Sequence, residues 1–101
     1  MPRNYSFYVY ILTNQTRTVL YTGITNDLDR RVWQHKRGES KFTSEYKCNI
    51  LLYYEHFTDV RNAIAREKQL KKWARGWKLE LIKAINPHMI DLSRDWYKDA
   101  I

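Results

Sequence analysis

From Tyr5 to Thr13 the chain alternates, with Phe7, Val9 and Ile11 on one face and Tyr8, Tyr10 and Leu12 on the other. An alternation of this length is the mark of a β-strand and commits the chain to building a sheet. The polar stretch Asn14-Gln15-Thr16-Arg17 reads as a turn, and Thr18 to Ile24 resumes a β-branched and aromatic run that ends near Gly23. Together the two runs predict a hairpin.

Helix signals follow. Thr25 or Asn26 caps a helix reaching about Arg37, since Asp27 suits its first turn, Lys36 and Arg37 its last, and Gly38 stops it. Glu39 to Lys47 is polar and reads as a loop, and Cys48 to Phe57 has the length and content of a third strand. Thr58 or Asp59 caps a second helix to about Ala74; Gly76 interrupts the pattern before a third, Trp77 to Ile85, which Asn86-Pro87 closes. The tail, Asp91 to Tyr97, adds a helical turn. The order β-β-α-β-α-α predicts an α+β fold, a three-stranded and mainly antiparallel sheet flanked by helices.

A chain of 101 residues supports one domain, here 1–101 with its core at about 5–86 and a short C-terminal tail. With 44% hydrophobic and 29% charged residues it is too apolar to be disordered. Its longest apolar runs, Val9 to Leu12 and Ile50 to Tyr54, fall far below the roughly 20 residues that span a bilayer. The start, Met-Pro-Arg-Asn-Tyr-Ser, lacks a signal peptide's apolar stretch, so a cytoplasmic protein without a membrane partner is expected. Cys48 is the sole cysteine, which rules out an intramolecular disulfide, and its strand context favours core packing. The formal net charge of +7 calls for a polyanionic partner, although charge alone does not separate DNA from RNA or an anionic membrane.

Several ionisable residues stand where core residues belong. On a helical wheel Val60, Ala63, Ile64, Leu70 and Ala74 form one apolar stripe, and Glu67 falls in its middle while Arg66, Lys68, Lys71 and Lys72 point mostly to solvent. A carboxylate so placed must lose its charge, pair, or bind a cation. On the first helix Arg31 and His35, four residues apart, lie beside the inner stripe of Leu28 and Val32. On the hairpin, Tyr10 shares a face with Tyr8 and Leu12, and Tyr21 shares one with Val19 and Gly23.

Two phenols, a guanidinium, an imidazole and a carboxylate converging beneath basic helices suit phosphoryl chemistry. The carboxylate can hold Mg²⁺ or Mn²⁺, which keep several waters and need few protein ligands. Arg31 can stabilise charge on the phosphate and a phenol can take the proton of the attacking water. From its ordinary value of about 10, such a phenol has to be brought down by roughly two units, by the cation and Arg31.

The same residues give the chain its resemblance to the GIY-YIG nucleases, closest to their small stand-alone bacterial members. Tyr8-Val9-Tyr10 stands where the family has Gly-Ile-Tyr, and Tyr21-Thr22-Gly23 where it has Tyr-Ile-Gly. Asp27-Leu28-Asp29-Arg30-Arg31 and His35 follow the family's run to its arginine and histidine, and Arg66-Glu67-Lys68-Gln69-Leu70-Lys71-Lys72 resembles its glutamate-bearing helix. The resemblance implies Tyr10 as general base, with Tyr21 orienting water or phosphate, although the two tyrosines could exchange roles. It implies Arg31 on the scissile phosphate, His35 assisting proton transfer or hydrogen-bonding Tyr10, and Glu67 as sole protein ligand of one divalent cation. Asn86 resembles a polar residue that some members keep near the site, but before Pro87 it is read as closing a helix. Tyr8 in place of glycine narrows access, and Thr22 replaces isoleucine.

Arg66, Lys68, Lys71, Lys72, Arg75 and Lys78 wrap the second and third helices with Trp73 and Trp77 among them, and Arg30 adds charge from the first. Such a surface holds phosphates without reading sequence. Trp77 is read as a core residue, and His56 and His88 have no assigned role. Three functions fit: a metal-dependent DNA endonuclease acting on branched, nicked or damaged structures in repair or recombination, a nucleic-acid-binding module without turnover, and an RNA-directed nuclease or accessory subunit. The first is preferred, and no obligate protein partner is evident.

Overall fold

The computed structural model describes residues 5–97. Two strands, β1 (Phe7–Thr13) and β2 (Leu20–Thr25), form the expected hairpin, and β3 (Ile50–Phe57) pairs antiparallel with the other side of β1 to give the order β2-β1-β3. Asn14 shapes the turn, its Oδ1 accepting the backbone N–H groups of Thr18 and Val19 at 2.9 and 3.1 Å.

Four helices accompany the sheet. α1 (Leu28–Lys36) is capped by Asp27, neither Thr25 nor Asn26: the Asp27 side chain accepts from the N–H of Arg30, while Thr25 Oγ1 accepts from that of Asp27. A short helix, α2 (Lys41–Glu45), stands inside the segment expected to be loop. Asp59 caps α3 (Val60–Lys72), which stops two residues short of Ala74. α4 (Arg75–Ile85) begins before Gly76, so the break between the two helices falls at Trp73 and Ala74.

β1 is buried on both faces, and its alternation sorts two cores. Val9 and Ile11 meet Ala63 and Leu70 of α3 and Ile82 of α4, while Tyr10 and Leu12 meet Leu28 and Val32 of α1. In β3 a bulge between the partners of Ile11 and Leu12 lets Leu52 and Tyr53 both join the first core while Leu51 and Cys48 join the second. Asn86 closes α4, and its side chain donates to the carbonyls of Leu52 and Ile90 at 3.1 and 2.8 Å. Beyond it the chain turns back over the α1 side, where Leu92, Trp96 and Tyr97 pack on the second core. The packed body therefore extends past residue 86. Trp77, expected inside, is 60% exposed. No helix among the described residues is long and apolar enough to cross a membrane.

Candidate active site

The register of the hairpin sets Tyr10 opposite Gly23. A Cβ at Gly23 would lie 2.5 Å from both Cζ and Oη of Tyr10, so the phenol ring lies across a backbone that only glycine leaves open. α1 then supplies two partners from successive turns of one face. Arg31 donates from Nε to Tyr10 Oη at 3.4 Å, and Nε2 of His35 stands 2.8 Å from the same oxygen. Tyr10 and His35 are 1% and 2% exposed.

The second nitrogen of His35, Nδ1, lies 2.7 Å from Oγ1 of Thr43 on α2. An arginine only donates. The arrangement that satisfies every member therefore has Arg31 donating to Tyr10, Tyr10 to Nε2, Nδ1–H to Thr43, and the Thr43 hydroxyl to the carbonyl of Ser40, 3.4 Å away. Thr43 is buried, and no sequence signal points to it because the polar segment that carries it reads as loop. Gln34, also passed over, accepts from Arg31 Nη1 at 3.1 Å and steadies the guanidinium.

Burial sets the proton affinities of this chain of groups. It pushes the Tyr10 phenol up to about 12, with the Arg31 hydrogen bond opposing and Tyr21 and Glu67 adding to the rise. Desolvation outweighs the neighbouring guanidinium, so the lowering the sequence calls for is one that a cation would have to supply. His35 is pushed down to about 4, by burial first and by the Arg31 charge second, so the imidazole is neutral near pH 7. Hydrogen bonding to Tyr10 holds Arg31 more firmly charged.

Tyr21 completes the cluster, its ring 6.3 Å from that of Tyr10 and 5.5 Å from that of His35. Glu67 arrives from α3, between the buried Ala63 and Leu70, with a side chain only 15% exposed and a charge felt at Tyr10. Its ion partner is the half-exposed Lys71 ammonium, 3.6 Å away. Among the described residues no three acidic, histidine or cysteine side chains gather, so a cation here would have Glu67 as its carboxylate and water for the rest. A hard divalent cation of the Mg²⁺ type accepts that set, and the Lys71 side chain can swing to solvent as it enters. The residues present fit the ion.

A polar cleft of about 570 Å³ opens beside the cluster, with Arg31, Gln34 and the exposed Arg30 in its wall. Tyr8 is not in the wall of this cleft but lines an adjoining pocket that shares Asn26 and Asp27 with it, its ring 5.1 Å from His56 and 6.3 Å from Tyr54. Of the expected phosphate-binding residues, Lys68 and Lys72 are exposed on α3. Others already have partners: Arg66 bridges Glu55 at 2.8 Å and lies over the Trp73 ring, Lys71 pairs with Glu67, and Arg75 donates to the carbonyls of Arg17 and Thr18. Asn86 serves the closure of α4.

A model of the GIY-YIG catalytic domain matches residues 6–80. A UPF0213 protein of Clostridium perfringens is 41% identical over 78 residues, covering 76% of this chain and 83% of that protein. A UPF0213 protein of Syntrophus aciditrophicus is 37% identical over 78 residues, covering 75% and 88%. The solution NMR structure of a UPF0213 protein from Bacillus halodurans superposes with a TM-score of 0.56 at 28% identity, covering 89% of this chain and 97% of that one.

Proposed function

The chain belongs to the GIY-YIG nuclease family, and from that premise we propose that it is a divalent-metal-dependent DNA endonuclease. It hydrolyses phosphodiester bonds at branched, nicked or damaged structures, in DNA repair or recombination in the cytoplasm. The observation that carries this reading is the Tyr10 hydroxyl held between the Arg31 guanidinium and a neutral His35, with the Glu67 charge acting on the same phenol.

A phosphate entering the cleft meets Arg31, whose fixed charge is well placed for the negative charge that grows on the phosphoryl oxygens. Glu67 holds Mg²⁺ or Mn²⁺, which when bound neutralises phosphate charge and makes a water more acidic. The attacking water gives its proton to Tyr10 Oη as the phenolic proton passes to His35 Nε2, 2.8 Å away, and because burial and Arg31 disfavour the imidazolium, His35 passes that proton on to water. A phenol pushed up to about 12 need not ionise first, because it is relieved of one proton as it takes another. The new P–O bond forms, the ester P–O bond breaks, and the leaving alkoxide is protonated from solvent. Tyr21 orients the water or the phosphate. Arg30, Lys68 and Lys72 contact the flanking backbone, with Arg66, Lys71 and Arg75 contributing where their present partners release them.

The test is incubation of the purified protein with nicked, branched, duplex and single-stranded DNA in Mg²⁺ or Mn²⁺. Cleavage of the nicked or branched forms that stops in a chelator is expected. Binding of DNA with no cleavage in either ion contradicts the proposal.

A further inference from the structure

α2 and the residue that caps its C-terminus carry two large aromatic side chains in water, Phe42 at 44% exposure and Tyr46 at 46%. They do not stand alone. The Phe42 ring lies 5.5 Å from that of Tyr21 at an interplanar angle of 31°, and the Tyr46 ring lies 4.7 Å from Phe42 at 40°. Rings therefore step from the Tyr10 and His35 cluster through Tyr21 to the surface, each within contact of the last. The last ring borders a pocket of about 250 Å³ whose wall is polar, with Gln15, Thr16, Lys47 and Asn49.

We infer that this aromatic track receives unpaired nucleotides of the DNA strand on one side of the scissile phosphate, stacked on Phe42 and Tyr46, with the next base edge in the polar pocket. The inference rests on the nuclease reading and narrows its substrate to DNA whose strand is unpaired at the cut. In a duplex each base is already stacked on its neighbours and offers these rings no face; an unpaired base does, whatever its identity. Continuity with the catalytic cluster fixes where the stacked nucleotides lie. The charges around the track are mixed, with Lys41, Glu45 and Lys47 all exposed and Glu39 paired with Arg37 at 3.6 Å. The groove between Trp73 and Trp77 is bordered by Glu80, and among the described residues no ring contact links it to the cluster.

The experiment uses Glu67→Gln protein, which on the nuclease reading binds DNA without cutting it. Its affinity is measured for a splayed-arm DNA and a fully paired duplex of equal length, with 2-aminopurine at the unpaired positions as a stacking probe. Tighter binding of the splayed arms, about ten-fold or more per stacked base, is expected together with quenching of the probe. Adding Phe42→Ala and Tyr46→Ala removes both effects while leaving duplex affinity and salt dependence unchanged, and Phe42→Tyr with Tyr46→Phe keeps them. The single Tyr46→Ala variant, at the exposed end, loses part of the preference with the fold intact. Equal binding of both DNAs, or a preference that survives the double alanine, overturns the inference. Should wild type cut duplex and splayed DNA alike, the track falls and the nuclease stands. Preference and quenching without cleavage by wild type in Mg²⁺ or Mn²⁺ would leave the track and remove the nuclease.

Discussion

Oη of Tyr10 and Nε2 of His35 stand 2.8 Å apart, the phenol pushed up to about 12 and the imidazole pushed down to about 4. Both are neutral near pH 7, so one proton can cross between them as another arrives at the phenol. Tyr10→Phe keeps the ring over Gly23 and removes only the oxygen that Arg31 and His35 share. Cleavage should fall by about 10²- to 10⁴-fold, the usual worth of a positioned proton acceptor, with DNA affinity little changed. Single-turnover cleavage and equilibrium binding read the two effects separately, and a rate near that of wild type would remove Tyr10 from the proton path.

The lowered His35 also links stability to pH. Above pH about 6.5 the imidazole is neutral whether the chain is folded or not; as pH falls toward 4 the unfolded chain binds a proton that the folded one refuses. Stability is therefore lost across that window, by up to about 3 kcal/mol at its acid end. Urea unfolding at a series of pH values should show the loss between pH about 6.5 and 4, and His35→Gln should flatten it. The same slope in the variant would place the linked proton elsewhere.

Gly23→Ala puts a methyl 2.5 Å from Cζ and Oη of Tyr10, well inside contact distance. The ring has to leave its place between Arg31 and His35. The variant should lose about 1–3 kcal/mol of stability, as overpacked cores do, and lose cleavage with it. Wild-type stability and activity together would show that the ring has room the geometry denies.

Thr22, where the family pattern has isoleucine, buries Oγ1 with no hydrogen-bond partner among the described residues. An unpartnered buried hydroxyl costs about 1–3 kcal/mol. Thr22→Val should raise stability by about 1 kcal/mol and shift the thermal midpoint upward by several degrees with cleavage unchanged. A lower midpoint would mean that the hydroxyl has a partner, such as a water.

The fold was legible wherever periodicity was long. The alternation of Phe7 to Leu12 assigned Tyr10 and Val9 to opposite cores, and the wheel of Val60, Ala63, Ile64, Leu70 and Ala74 singled out Glu67, although of that stripe only Ala63 and Leu70 are buried and Val60 and Ile64 are each 40% exposed. α2 was not legible, because five residues of Lys-Phe-Thr-Ser-Glu are too few for a helical period and too polar for a strand. Thr43 was lost with it, and the partner that fixes the His35 ring disappeared from view. Trp77 misled for a different reason. α4 turns Ile82 toward the sheet and leaves Trp77 outside, a choice of face that the interrupted pattern at Gly76 obscured. The direction of the Tyr10 shift depended on how deeply the ring is buried, which no spacing in the sequence specifies.

The dependence of cleavage on a cation held by Glu67 follows from the proposed function. It is tested most directly by comparing wild type with Glu67→Gln on one nicked or branched DNA in Mg²⁺ and in Mn²⁺, measuring cleavage and binding on the same preparations. The substitution keeps size and hydrogen bonding but removes the charge that a hard cation requires. The expected result is loss of cleavage in both ions with affinity for DNA within a few-fold of wild type. Cleavage by Glu67→Gln at the wild-type rate would contradict the claim.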